Sequence, residues 1–272
     1  HSRPMRRPLT PAFTVWLERS RDTLEPLLPA LCLSCQTRCF HPAWLCMACL
    51  QQIRTNRVSC KRCAHPLRSA NAQPMQHLSG CPRCHSQPLS LNKAVAPLVF
   101  DGPVRKLIHA WKFRGQTELT PLLVQLALDH GVPPPSDYWL PIPMHWRKNL
   151  QRGFNQTLLL AGELSRQLPI TQRSPIRMPL KVSGQLVKQH SLNRTERVRL
   201  AEHRFVLRHK SSLLNRFFAR TGSAADSQPL AGHSITLIDD VMTTGATLEA
   251  AASALKAVGA SSVNAWCLAH TP

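Results

Sequence analysis

Four Cys-x-x-Cys pairs lie between residues 32 and 84: Cys32 with Cys35, Cys46 with Cys49, Cys60 with Cys63, and Cys81 with Cys84. Such a turn aims two thiolates at one ion, and two turns fill the tetrahedral shell that Zn²⁺ prefers, at about 2.3 Å per sulfur. Four turns therefore predict two structural zinc ions. Taken in order, Cys32, Cys35, Cys46 and Cys49 form one zinc ribbon and Cys60, Cys63, Cys81 and Cys84 the next, with 10 and then 17 residues between the paired turns. An interleaved pairing, first turn with third, stays open on sequence alone.

A disulfide framework would need an oxidising compartment, and the first thirty residues carry no apolar core of a secretory signal. The expectation is a cytoplasmic protein with reduced thiols. No strand-helix pattern of the thioredoxin kind surrounds any pair. A shell of four protein thiolates leaves no position for water, so the zinc is expected to fold residues 32–84, which hold too few large apolar side chains for a core of their own. Cys267, in the apolar run Ala265–Ala269, reads as a small buried hydrophobe, and Cys39 as a bystander in a loop.

A chain of 272 residues is long enough for two unequal domains, and 43% apolar residues exclude general disorder. Thirty-four Lys and Arg against 14 Asp and Glu give a net charge of +20. Both halves share the excess, with 12 against 3 in residues 1–90 and 22 against 11 in residues 91–272. Nothing approaches the ~18 unbroken apolar residues of a membrane span. The expected organisation is an N-terminal segment, 1–31, partly helical; a double zinc ribbon, 32–90; and an α/β domain, 91–272.

In that last region strands and helices alternate. Ala94–Phe100 reads as a strand, and after the turn Asp101-Gly102-Pro103 the residues Val104, Leu107, Ile108 and Trp111 recur at helical spacing. Leu119–Leu128 reads as a helix, Tyr138–Met144 as a strand, and Asn155–Leu168 as a helix. Ile235–Ile238 is an apolar strand, Thr247–Val258 a helix with Gly259 as its C-cap, and Ser262–Leu268 a final strand. This alternation predicts a parallel sheet. The segment Arg208–His233, basic and rich in Ser and Ala, breaks the pattern and reads as a surface insertion.

The run from Ile235 to Thr247, ITLIDDVMTTGAT, combines an apolar strand, two carboxylates and a hydroxyl-rich loop before a helix. Consecutive N–H groups from Thr243, Thr244, Gly245, Ala246 and Thr247 at a helix N-terminus make a nest that favours phosphate. Asp239 and Asp240, read as standing at the strand's carboxyl end, are placed to accept hydrogen bonds from two sugar hydroxyls or to hold a Mg²⁺-bound water. Phosphate beside a diol predicts a ribose 5-phosphate site; the competing reading is an ordinary helix cap and turn.

This motif resembles the phosphoribosyl-diphosphate (PRPP) signature of type I phosphoribosyltransferases. The segment Leu140–Ala161, LPIPMHWRKNLQRGFNQTLLLA, resembles the ComF/GntX family, most specifically at Arg152-Gly153-Phe154-Asn155-Gln156. Further agreements are the Val104–Gly115 helix with Lys112, the Gln189–Arg197 stretch, the acidic-pair loop and the ending Trp266-Cys267-Leu268. The resemblance runs from about Cys32 to the C-terminus. It implies a double zinc ribbon joined to a phosphoribosyltransferase domain, PRPP held with Mg²⁺ by Asp239, Asp240 and residues 243–247, and Arg147, Lys148 and Arg152 as the cations near the leaving diphosphate, Arg152 having the most specific setting. Three positions depart from the family pattern: Leu180–Lys188 lacks its arginines, Leu200 stands where Asn is usual, and Arg208–His233 is inserted. All fall around the mobile hood, where Gln189 and Arg197 are the candidates, so PRPP binding is implied more firmly than turnover.

Two functions follow as expectations. In the first, a PRPP-binding scaffold serves natural transformation and the use of DNA, its basic surface holding single-stranded DNA in a salt-dependent, sequence-independent way, with DNA-processing competence proteins as partners. Trp111, Phe113, Trp146 and Phe154 are the rings available for stacking, although core packing is the commoner use of each. In the second, the protein is an active phosphoribosyltransferase in nucleotide metabolism with an unidentified nitrogen acceptor.

Overall fold

Period-2 alternation and period-3.6 alternation in residues 93–270 build a sheet with helices on both faces. The computed structural model describes residues 30–39, 44–67, 81, 82, 84, 89–144, 153–178, 180–182, 205–207 and 230–272. The expected N-terminal helix in residues 1–29, the residues His145, Trp146, Arg147, Lys148 and Arg152, the hood stretch with Gln189, Arg197 and Leu200, and residues 208–229 of the insertion lie outside the described residues.

The strands are β1 (Ala30–Leu31), β2 (Arg38–Cys39), β3 (Lys93–Val95), β4 (Leu98–Val99), β5 (Tyr138–Pro141), β6 (Leu180–Val182), β7 (Phe205–Leu207), β8 (Ser234–Met242) and β9 (Ser262–His270). The helices are α1 (Met47–Gln51), α2 (Gly102–Phe113), α3 (Thr120–Leu128), α4 (Gln156–Gln167) and α5 (Ala246–Ala257). The main sheet runs β3-β9-β8-β5, with β4 continuing β3 along the same edge of β9, and every pairing in it is parallel. The expected strand Ala94–Phe100 is thus two short pieces, broken at Ala96 and Pro97, where proline has no N–H for the ladder. Cys39, expected in a loop, pairs with Ala30 in the β1-β2 hairpin.

Alternation along the central strands sorts the core into two layers. Ile238 of β8 and Trp266 and Leu268 of β9 face α2, α3 and α4. Ile235 and Leu237 of β8, and Val263, Ala265 and Cys267 of β9, face α5. Trp111, Trp139 and Trp266 are fully buried. The Trp111 indole donates to Thr120 Oγ1 and that of Trp266 to the Gly131 carbonyl, each at 2.9 Å. Helix ends follow local chemistry. Asn155 caps α4, its side chain accepting from the Leu158 N–H. Gly259, at φ +88°, stands one residue beyond the C-cap Val258; its N–H reaches the Lys256 carbonyl while the Ala260 N–H reaches Leu255, a complete Schellman closure.

The cysteine region is built onto this sheet. Arg54 and Asn56 hydrogen-bond backbone groups of Val99, Pro97 and Ala96, and the Lys61 carbonyl accepts from the Ala94 N–H. Residues 54–61 therefore cover the outer edge of β3 and β4, an edge otherwise open to pairing with another chain. The first cysteine cluster packs into the α2–α4 layer and the second into the α5 layer.

Candidate functional site

Two clusters of four thiols form in sequence order: Cys32, Cys35, Cys46 and Cys49, and Cys60, Cys63, Cys81 and Cys84, with the ligand atoms of each cluster within 4.8 Å of one another. Geometry thereby selects the sequential pairing over the interleaved one. Both clusters repeat one knuckle. The N–H of Cys32 donates to the Thr37 carbonyl and that of Cys60 to His65; the N–H of Gln36 donates to Cys32 and that of Ala64 to Cys60. Gln36 and Ala64, each following the second cysteine of its turn, adopt left-handed φ of 62° and 53°.

The sulfur spacings test whether an ion fits. A tetrahedron with Zn–S bonds of about 2.3 Å has S···S edges of about 3.8 Å. Cys35 and Cys46 lie 3.6 Å apart, Cys60 and Cys84 3.8 Å, Cys63 and Cys81 3.6 Å, and Cys81 and Cys84 3.7 Å. These spacings match the edges of such a shell and are far longer than a disulfide bond. The Thr37 hydroxyl and N–H hold the Cys35 thiol down to about 6. Burial opposes ionisation of Cys60, yet the N–H groups of Cys63, Arg62 and Cys81 outweigh it and bring it to about 7. Burial pushes Cys49 up to about 12, Cys84 to about 11, and Cys63 higher still. Backbone N–H groups likewise outweigh burial and lower Cys32, so Cys32, Cys35 and Cys60 are the thiols favoured to ionise, while burial disfavours the thiolates of Cys49, Cys63 and Cys84 until a cation arrives. Both clusters suit a divalent metal.

The phosphate-type loop lies at the carboxyl end of β8, where parallel sheets bind ligands. β8 is longer than the sequence suggests: it continues past Ile238 through both aspartates to Met242, because the neighbouring β9 extends equally far and keeps the ladder paired up to Met242 and His270. This corrects the placement of the acidic pair. Within a strand, successive side chains leave opposite faces. Asp240 meets α2, where the Lys112 ammonium lies 2.7 Å from its Oδ2, the two side chains 16% and 13% exposed. Asp239 shares the α5 face, aligned with Cys267 of β9. Burial first, then the two nearby carboxylates, raise the Cys267 thiol well above its ordinary value, which fits the expected inert buried cysteine.

Backbone amides brace both carboxylates. Asp239 Oδ1 accepts from the Asp240 N–H at 2.9 Å, and Asp240 Oδ1 from the Val241 N–H at 2.6 Å. After Met242 the chain turns through Thr243 and Thr244 to Gly245, whose φ of +73° is the left-handed region. A Cβ there would also come within 2.8 Å of Met242 Cε. α5 begins at Ala246 after the N-cap Gly245, and the Ala246 N–H donates to Thr244 Oγ1 at 3.4 Å. Thr243 and Thr244 are exposed, and Gly245, Ala246 and Thr247 half-buried.

The Arg152–Gln156 motif is described from Gly153 onward. Gly153 has φ +75°, Phe154 tilts against Trp111 at 6.5 Å, Asn155 caps α4, and Gln156 is buried. The Thr157 hydroxyl donates to the Ile142 carbonyl at 2.7 Å, tying α4 to the end of β5. Two contributors had no role assigned from sequence. Lys112 was marked only by resemblance, and Glu249, in the first turn of α5, accepts from the N–H groups of Ser90 and Leu91. An acid in a first helical turn was the available signal for Glu249.

A parallel sheet carrying an acidic pair and a left-handed turn at a strand's carboxyl end, with two four-cysteine clusters ahead of it, defines a phosphoribosyltransferase-like domain behind clusters consistent with zinc ribbons. The family model described as phosphoribosyl transferase domain matches residues 156–272. Among known proteins, the chain is 28% identical to the DNA utilization protein YhgH of Escherichia coli K12 over 253 residues, covering 90% of this chain and 98% of that protein. It is 26% identical to the same-named protein of Salmonella typhi over a like span. It is also 27% identical to Competence protein F of Haemophilus influenzae over 234 residues, 83% of this chain and 90% of that one. These similarities support a ComF-family protein, and residues 156–272 carry a phosphoribosyltransferase-like domain. Among the described residues, no helix is long and apolar enough to cross a membrane.

Proposed function

We propose that this protein binds PRPP in the turn between β8 and α5 and holds single-stranded DNA on its basic surface, serving the uptake and use of DNA in the cytoplasm. One observation supports the PRPP reading above the others: an acidic pair and a left-handed glycine turn at the carboxyl end of a parallel strand, inside the stretch matched by the phosphoribosyl transferase model. Thr243, Thr244, Gly245, Ala246 and Thr247 hold the 5-phosphate through N–H groups and hydroxyls. Asp239 and Asp240 accept from the ribose hydroxyls. Both oxygens of Asp240 already accept hydrogen bonds, so the pair suits a Mg²⁺-bound water, and Mg²⁺ supplies charge neutralisation of the diphosphate. Arg152 is the proposed cation beside that diphosphate.

The eight clustered cysteines hold two structural Zn²⁺ ions. The DNA role is drawn from the names of the relatives, DNA utilization protein and Competence protein F, and from a net charge of +20, which favours a polyanion. DNA-processing competence proteins are the proposed partners.

Turnover is the second reading, favoured by the same family match. There, the C1–O bond of PRPP breaks with departure of pyrophosphate as C1 forms a bond to a nitrogen acceptor, with Asp239, Asp240 and Arg152 at the reacting ribose. Pyrophosphate release from PRPP, followed with candidate bases and with DNA, separates the two. PRPP binding without release supports the binding module; release with a base alone supports the enzyme; no PRPP binding overturns both.

A further inference from the structure

Helix α2 buries one face and leaves the other to solvent. Along that outer face Arg105, His109 and Phe113 follow one another four residues apart, which places them in one row. The first cysteine knuckle stands opposite. Lys106 joins the two walls, its ammonium donating to the Ser34 carbonyl. Between them is a cleft of about 620 Å³, to which Arg105, Lys106, His109, Phe113 and Arg114 contribute, and none of its lining residues is acidic.

Phe113 is the unusual member. Its side chain is 65% exposed, although Trp111 two residues earlier is fully buried. The His109 ring lies 5.2 Å from Phe113 and 6.0 Å from Phe100, so the imidazole stands between two phenyl rings, and His109 and Phe113 both line the cleft. Cations alone attract any polyanion. Cations interleaved with an exposed ring suit one whose bases are unpaired and can stack, because a duplex keeps its base faces covered.

We infer that single-stranded nucleic acid docks in the cleft between the first cysteine knuckle and α2, with Phe113 stacking on a base and Arg105 and Arg114 on flanking phosphates. This rests on the reading of the protein as a binder of single-stranded DNA and assigns that reading a surface. The cleft runs along α2 from Gly102 to Arg114, and Lys112 in the last turn of the same helix reaches Asp240. A second basic cleft, lined by Lys61, Arg62, Lys93 and Lys256, carries charge but no aromatic ring, and is the natural rival.

Anisotropy of a labelled oligothymidylate, titrated across a salt series with full-length protein, tests the assignment. Phe113→Ala should weaken binding by about 5- to 150-fold at one salt concentration and leave the slope of log K against log salt unchanged. Arg105→Ala with Arg114→Ala should lower that slope by about 1.4, at about 0.7 per lost single-strand phosphate contact. Arg105 and Phe113 are exposed on the outer face of α2 and Arg114 is exposed just beyond its end, and an unchanged unfolding midpoint confirms that each variant is folded. Wild-type binding that neither variant alters, or whose slope falls instead in Lys61→Ala with Lys93→Ala and Lys256→Ala, overturns the cleft and leaves the DNA reading standing. Equal affinity for duplex overturns the stacking role. No binding by the wild-type protein removes the DNA reading itself, and the cleft with it.

Discussion

The ammonium of Lys112, in the last turn of α2, lies 2.7 Å from Oδ2 of Asp240 in β8, linking an outer helix to the acidic pair of the central strand. Both side chains are mostly buried, so removing either partner strands a charge in a poorly solvated place. Lys112→Met should cost about 1–3 kcal/mol of stability, less than the roughly 3–5 of a fully buried pair because each side chain retains some exposure. Combining it with Asp240→Asn removes the stranded charge and should recover most of that loss without restoring PRPP affinity. Denaturant unfolding and calorimetry read the two effects separately. A double variant no more stable than Lys112→Met would show that the pair does not couple.

This contact was out of reach of the sequence for a physical reason. Lys112 and Asp240 are far apart along the chain and meet only because β8 continues beyond its apolar stretch, and strand length there is set by β9. The apolar run Ile235–Ile238 marks only part of β8; the ladder adds the half-buried Asp239, Asp240 and Val241 and the buried Met242, where the acidic pair interrupts the hydrophobic pattern. Features governed by local chemistry were legible: the Gly259 closure and the turn at Gly245 each depend on a few neighbouring residues. Cysteine spacing pointed to two four-thiol clusters, but choosing sequential over interleaved pairing needed the folded knuckles. Phe113 is the reverse case. Core packing was the commoner use of such a ring, yet the buried face of α2 is already filled by Val104, Leu107, Ile108 and Trp111.

Asp239→Ala combined with Asp240→Ala removes both carboxylates proposed to face the ribose. PRPP affinity measured by calorimetry should fall to undetectable while the protein stays folded and retains its metal. Asp240→Ala alone should cost more stability than Asp239→Ala, because only it strands Lys112. Undiminished PRPP affinity in the double variant would remove the ribose-site proposal.

Gly245 tests the turn independently of the acids. A β-branched residue at φ +73° should destabilise by about 1–3 kcal/mol, and its Cβ would press on Met242 Cε. Gly245→Val should therefore lower both stability and PRPP affinity, since the amides that follow would be displaced. Gly245→Asn, which tolerates the left-handed region, should keep most of the stability. Equal unfolding midpoints for the Val and Asn variants would show that backbone conformation is not what requires glycine there.

Metal content distinguishes two independent clusters from one shared assembly. Elemental analysis of the purified protein should return two zinc ions per chain, and one or none would contradict the two-site proposal. Because the sulfurs of each cluster gather within 4.8 Å, Cys60→Ser with Cys63→Ser should abolish one site and leave the other loaded. The same holds for Cys32→Ser with Cys35→Ser. An interleaved arrangement would behave differently, since Cys60 and Cys63 would then belong to one site and Cys81 and Cys84 to the other, and replacing all four would leave no zinc. The sequential arrangement predicts a sharper contrast: replacing all four of Cys60, Cys63, Cys81 and Cys84 should leave one full zinc equivalent, whereas replacing Cys46, Cys49, Cys60 and Cys63 should leave none. The second cluster also carries Lys61, whose carbonyl accepts from the Ala94 N–H of β3. Its loss should therefore loosen the β3 edge of the sheet, seen as faster hydrogen exchange at Ala94, while loss of the first cluster should act on the α2 layer instead.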